Sequence, residues 1–329
     1  MSRSWKVFAA AGLALILLAA LGLAFAPYVY AEAFPVLTRL GLPTTPASQI
    51  STDAAPGPAL GAAVGNRWRV QRIAPDTYAL GEPQGDPDNY EYLLLGKSRA
   101  LLIDAGSSPD HDIRPVLATL TRLPVTVLPT HLHFDHTNGL RFASSIALVD
   151  LPQTRARLRD GLVRLGRYQV MGTLGAGDGL PQFRVGAWIK PDSVIDLGGR
   201  QVRVLWTPGH TATSISVFDP AAKLLFAGDL IYPTSLYEFI PDSSLSAYAA
   251  TADRLLATLP ADTTIYGAHC CRNDVPAQAP WLGMGDLRDA AATAKAVEAG
   301  TARGRGVIVR RFPVNSRMTL ITLYPFGNR

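Results

Sequence analysis

Between Pro129 and Gly139 the chain reads PTHLHFDHTNG, which places three of its six histidines within six residues and Asp135 between the second and the third. Neutral imidazole and carboxylate are suitable ligands for divalent metals such as zinc. In an extended or turning segment, His131 and His133 share a side and can hold one ion together, while Asp135 and His136 face elsewhere and can hold a second. Each ion needs more ligands than this stretch offers. His210 and His269 can add one imidazole apiece, and Asp229 has two oxygens with which to bridge both ions.

The elements that would position these residues are strands that end on them. The run VTVLPT leads into His131, RQVRVLWTPG into His210, KLLFAG into Asp229 and TTIYGA into His269. Five of the six histidines thus sit at a strand's C-terminal edge; His111, in a polar loop or helix start, is the exception. Further short runs bounded by Pro and Gly read as strands: RWRVQRI, DTYAL, NYEYLLL, RALLIDAG, SIALVD, TSISVFD, GVIVRRF and MTLITLY. Helices are predicted over 111–121, 152–170, 244–259 and 286–302, the second with Leu158, Leu162 and Leu165 on one face. Two strand-rich halves bearing helices suggest two packed sheets with helices outside.

The pieces LLIDAG, HLHFDH, LGGRQVRVLWTPGHT, LLFAGD and YGAH occur in this order, with 74, 19 and 40 positions separating His136, His210, Asp229 and His269. Over roughly residues 68–270 the chain resembles the metallo-β-lactamase superfamily. The resemblance implies an α/β, four-layered αββα sandwich with the site at one edge between the sheets. It also implies two divalent metal ions, zinc by expectation, although iron and manganese accept the same ligands. A hydroxide held between them would attack a carbonyl or phosphoryl centre. Asp135 would orient that nucleophile and pass a proton to the leaving group, and Asp104 would steady a ligand from behind.

Departures from subfamily patterns narrow the reaction. Asp229 stands where one β-lactamase subclass carries a cysteine, and His133 stands where di-iron redox relatives carry glutamate. Tyr232, in GDLIY, matches a tyrosine that lactonases of the superfamily place against the substrate carbonyl, where a phenol can donate to a developing oxyanion. The resulting expectation is a metal-dependent hydrolase that opens a lactone, ester or thioester of a small acyl substrate. The alternatives are a β-lactamase-like amidase and a metal-binding member that is non-catalytic or cleaves phosphodiesters.

The rest of the 329-residue chain bounds the setting. Residues 7–26 are twenty uncharged, mostly apolar residues after Arg3 and Lys6, long enough to span a bilayer core of ~30 Å. With positive charge on the N-terminal side, the body would be exported, either anchored to the membrane or secreted after cleavage near AEA at 31–33. The predicted organisation is an N-terminal anchor or signal segment over 1–40, a Pro/Gly/Ala-rich linker over 41–66 and one catalytic domain over 67–329. The net charge is +5, and residues 152–190, with seven basic and two acidic side chains, hold an equal excess. That segment is placed to form a basic wall or lid for an anionic substrate. No nucleic-acid module is present in the sequence. The two cysteines, Cys270 and Cys271, are adjacent and read as reduced, partly buried thiols.

Overall fold

A computed structural model describes residues 63–64, 68–82, 88–107, 112–169, 181–270, 279–306 and 309–323. The apolar run 7–26, the cleavage signal, the linker up to residue 62, His111 and Cys271 lie outside these residues. Among the described residues no helix is long and apolar enough to cross a membrane.

Two sheets form the body. The first runs in the order Ala63–Val64, Trp68–Ala74, Thr77–Gly81, Asp88–Leu95, Ala100–Ile103 and Val125–Leu128. Its last pair is parallel and the others are antiparallel. The second runs Ser193–Asp196, Gln201–Trp206, Ile215–Asp219, Leu224–Gly228, Thr264–Gly267 and Trp281–Gly283. Here only Leu224–Gly228 and Thr264–Gly267 are parallel. His269–Cys270 leaves the second sheet and pairs with Asp88–Leu95 of the first, stitching the two together at one edge.

Period-two alternation explains the layering. Tyr92, Leu94, Leu101 and Ile103 of the first sheet pack against Val202, Val204, Val217 and Phe226 of the second. The intervening residues Leu93 and Leu102 point the other way, onto Ile113, Val116 and Leu117 around the helix Arg114–Leu120. Leu225 and Ala227 point outward from the second sheet onto the helices Leu245–Thr258 and Met284–Glu298. Strands such as Ala100–Ile103 and Leu224–Gly228 are therefore covered on both faces and buried at every residue. This is the expected order of helix, sheet, sheet and helix. Far from the ligand edge, Arg200 ties the sheets: it donates to Asp219 Oδ2 at 2.8 Å, to Asp76 O at 2.7 Å and to Thr77 Oγ1 at 2.7 Å.

Two expectations need correction. Residues 152–170 are not one helix. A single turn, Pro152–Arg155, is followed by a hairpin of Leu158–Arg159 and Leu162–Arg164. Asp160 and Gly161 form its tip with φ of 52° and 76°. An Asp-Gly pair takes up positive φ readily, and two such residues make a tight hairpin turn that outweighs the helical spacing of the leucines. Leu158 and Leu165 still pack inward with Val163, whereas Leu162, paired with exposed Arg159, lies on the other face of the hairpin and is partly buried. The second correction concerns Cys270, which is buried and disulfide-bonded rather than reduced.

Candidate metal centre

Four strand ends converge where the two sheets meet. From the first sheet, Val125–Leu128 runs into Thr130, His131 and His133, then the short helix Phe134–Thr137 that carries Asp135 and His136. From the second come His210 after Gln201–Trp206, Asp229 directly after Leu224–Gly228, and His269 after Thr264–Gly267. All seven predicted ligands are brought together.

They form two groups. His131, His133 and His210 make one; Asp135, His136, Asp229 and His269 make the other, with ligand atoms in each group within 4.8 Å of one another. In the first, His131 Nε2 lies 2.8 Å from His133 Nδ1, and His210 Nε2 lies 3.1 Å from the same atom. In the second, Asp229 Oδ1 lies 3.2 Å from His136 Nε2 and 3.1 Å from His269 Nε2. Asp135 reaches the same two rings at 3.7 and 3.5 Å. The other oxygen of Asp229, Oδ2, turns to His210 Nε2 at 3.4 Å. Asp229 therefore faces both groups, one oxygen to each.

The surroundings fix the rings. His136 Nδ1 is 2.9 Å from Asp104 Oδ2, which leaves Nε2 facing Asp229. Asp104 also accepts from Thr130 N at 2.6 Å and from the Thr130 hydroxyl at 3.0 Å. His210 Nδ1 lies 3.0 Å from the Tyr237 carbonyl, an acceptor, so Nδ1 carries the proton and Nε2 is free to ligate. Gly228, with φ of 55°, permits this closeness: a Cβ there would lie 2.7 Å from the Thr130 hydroxyl.

Electrostatics favours a cation in both groups. Burial, with crowding by neighbouring imidazoles, pushes His131 and His133 well below the ordinary histidine range, and burial lowers His210 as well. These rings are neutral, and their lone pairs converge without a proton to separate them. For His136, burial opposes charge, but Asp104, Asp229 and Asp135 together raise its pKa well above the usual value. For Asp229, burial works upward, but His269, His136 and His210 hold its carboxyl well below the carboxylate range. His136 Nε2 and Asp229 Oδ1 are buried without a hydrogen-bond partner. Buried polar atoms are rarely left unmade, and a metal ion would satisfy both. The donor set thus fits two divalent ions, three imidazoles to one, two imidazoles and Asp135 to the other, with Asp229 available to both.

Tyr232 is buried, with its ring edge-on to His269 at 5.0 Å between centroids. Burial and the nearby Asp229 raise its phenol well above the ordinary tyrosine value, so it is a neutral donor. Two positioning residues escape a reading of the sequence. Thr130 is a small hydroxyl with no metal-binding signature of its own. Asn89 donates from Nδ2 to the Asp135 carbonyl at 2.6 Å and to Glu91 Oε1 at 3.1 Å, and it sits opposite His269 in the strand pairing. The one available signal was a pair of polar residues, Asn89 and Glu91, alternating with tyrosines in a strand that otherwise reads as core.

The family model described as the metallo-beta-lactamase superfamily matches residues 91–269. The chain belongs to this superfamily. Among curated proteins it is 32% identical over 185 residues to the acyl-coenzyme A thioesterase MBLAC2 of Homo sapiens, covering 50% of this chain and 66% of that one. It is 30% identical over 161 residues to a hydroxyacylglutathione hydrolase of Mesorhizobium japonicum, covering 47% and 53%. The chain therefore spans between about half and two thirds of the length of these relatives. The solved metallo-beta-lactamase from Pontibacter korlensis superposes with a TM-score of 0.53 at 19% identity, covering 69% of this chain and 99% of that one. That likeness bears on the fold. The relatives' names are those of hydrolases acting on thioesters.

Proposed function

We propose that this superfamily member is a dinuclear metal-dependent hydrolase that cleaves a thioester, or the chemically related ester or lactone, of a small acyl substrate. The observation that carries the reading is Asp229 turning one carboxylate oxygen to each of two ligand groups. The two relatives, named as an acyl-coenzyme A thioesterase and a hydroxyacylglutathione hydrolase, support thioesters ahead of other acyl bonds.

Bound divalent ions, zinc by preference of the ligand set, would supply Lewis acidity, making water a nucleophile near neutral pH and polarising the acyl carbonyl. The chain's own residues do the rest. Asp104, Thr130, Asn89 and the Tyr237 carbonyl hold the ligands so that their free atoms face inward. Asp135 is the most exposed carboxylate of the cluster, at 22% of its side chain, and is placed to orient the attacking water and to move a proton to the departing thiolate. Tyr232, packed edge-on to His269, would donate to the carbonyl oxygen as it gains charge. Water and thioester then leave as a carboxylic acid and a thiol.

We further propose that residues 7–26 anchor or export the protein, followed by the linker over 41–66 and a catalytic domain over 67–329.

Purified full-length protein tests the reading. Metal per chain is measured, and turnover is screened on an acyl-coenzyme A, S-lactoylglutathione, an acyl homoserine lactone and a cephalosporin. The expected result is two metals per chain, thioester hydrolysis, and loss of that activity in His133→Ala. Two bound metals without turnover of any acyl substrate would overturn it.

A further inference from the structure

Beside the metal centre lies a cavity of about 390 Å³ that includes His133 in its wall. A larger one, about 520 Å³, sits against the helix Arg114–Leu120 and includes no ligand residue. The cavity at His133 opens onto one of the ligand groups and can hold part of a substrate beside it. Leu132, Ala156 and Ala212 give it apolar wall, and Gln153, Arg157, Gln169, Thr211 and Asp242 supply its polar groups. The turn that carries Gln169 is fastened to the ligand helix, since Phe134 N donates to the Gln169 carbonyl at 2.8 Å. This wall is therefore tied to the helix that carries Asp135 and His136.

Arg157 differs from the arginines around it. Arg155 is spent on a pair with Asp150 at 2.6 Å and on the face of Trp188 at 3.7 Å. Arg159 donates to two backbone carbonyls, and Arg164 reaches Asp160 at 3.2 Å. Arg157 is half-buried, and among the described residues its guanidinium donates to no carboxylate or carbonyl. Its place is fixed all the same. Its backbone N–H donates to Thr154 O at 3.1 Å, its carbonyl accepts from Arg164 N at 3.2 Å, and Nη1 lies 3.2 Å from where a Cβ on Gly166 would stand. Asp242, on the cavity rim, is exposed, so water screens its pull on Arg157. Burial lowers the Arg157 pKa, a sign of a cation short of hydration and of partners.

We propose that this cavity binds a compact anionic group of the substrate, a carboxylate or a phosphate, with Arg157 as its counter-charge. A half-desolvated guanidinium whose hydrogens are unspent gains most from a planar or tetrahedral oxyanion that accepts two of them at once. Size limits where that anion sits. A compact cavity of this volume is about 9 Å across, so the anion lies only a few bonds from the scissile carbonyl. Gln153, Gln169 and the Thr211 hydroxyl supply neutral hydrogen bonds around it. This inference rests on the hydrolase reading for the reacting bond and on the cavity alone for the anion.

The experiment compares matched short thioesters: S-acetyl-3-mercaptopropionate, its neutral carboxamide, and S-acetyl-2-mercaptoethyl phosphate. Wild type should favour an anionic probe over the carboxamide by at least tenfold in kcat/KM, chiefly through KM, and the better of the two anions names the group. Arg157→Gln should erase most of that preference, Arg157→Lys should keep part of it, and Arg159→Gln, outside the cavity, should keep all of it. No preference in wild type, or a preference that survives Arg157→Gln, overturns the proposal. Calorimetry with the uncleavable S-ethyl thioethers of the same three compounds separates this from a failure of the hydrolase reading. If no thioester turns over, tighter binding of an anionic thioether that Arg157→Gln abolishes still upholds the anion site. Equal binding of charged and neutral thioethers sinks it.

Discussion

Asp104 Oδ2 lies 2.9 Å from His136 Nδ1, and the backbone of Asp104 adopts φ of 64° at the end of its strand to put it there. Left-handed backbone is uncommon outside glycine, although aspartate and asparagine tolerate it better than most residues. The contact sets the His136 tautomer, with the proton on Nδ1 and the lone pair on Nε2 facing Asp229. Asp104→Asn keeps a residue that accepts this backbone but turns an amide donor toward Nδ1, which pushes the proton to Nε2. Metal affinity of the group Asp135, His136, Asp229 and His269 should fall about 10- to 100-fold, with the His131, His133 and His210 group less affected. Competition with a chromophoric chelator would resolve two affinities. Equal loss at both, or none, would show that Asp104 does not orient the ring.

Asp229 makes the two groups one centre. Its Oδ1 faces His136 and His269, and its Oδ2 faces His210. Asp229→Ala removes an oxygen from each group and the charge that holds two cations close together. Metal content should drop by about one ion per chain, with thioester hydrolysis lost. Retention of two tightly held ions would mean that each group is sufficient by itself.

The ligands were legible because they are rare residue types at the ends of recognisable strands: His131, His133, Asp135, His136, His210, Asp229 and His269 all converge. Their division was not. Whether His210 or His269 completes the first group depends on where His269–Cys270 crosses to the other sheet, a long-range pairing with Asn89 and Asp88 that no local pattern encodes. The sandwich was legible from alternation in strands such as Gln201–Trp206, whose inward positions Val202 and Val204 are buried while Gln201 and Arg203 are exposed. The segment from Pro152 misled because leucines spaced for a helix also fit a hairpin once Asp160 and Gly161 turn the chain. Asn89 and Thr130 act through partners distant in sequence, so only the folded chain shows their role.

Tyr232 packs against His269, and a Cβ on Gly267 would lie 2.4 Å from the Tyr232 Cβ, so its backbone is wedged against the strand leading into that ligand. Burial and Asp229 keep its hydroxyl protonated, so it can donate a hydrogen bond. Tyr232→Phe removes the donor and keeps the ring. Loss of a single preorganised oxyanion donor lowers kcat about 10²- to 10³-fold. The expected result is that fall in kcat with KM and metal content close to wild type. Unchanged kcat would assign Tyr232 to packing alone.

Glu91 is a fully buried carboxyl behind the metal centre, accepting from Asn89, which in turn holds the Asp135 carbonyl. Burial, then the neighbouring Glu82 and Asp104, raise its pKa well above the ordinary glutamate value. The folded state therefore keeps a proton that the unfolded chain releases near pH 4.3. Its contribution to stability is fully present below that pH and is lost as pH rises through the folded value, at up to about 1.4 kcal/mol per pH unit. Glu91→Gln retains an oxygen for Asn89 and cannot ionise. Relative to wild type, its melting temperature should gain steadily between pH 4.5 and pH 8, with the smallest difference at the acid end. Thermal denaturation at matched ionic strength reads this directly. A difference that stays constant with pH, or shrinks toward pH 8, would show that Glu91 is ionised in the folded protein.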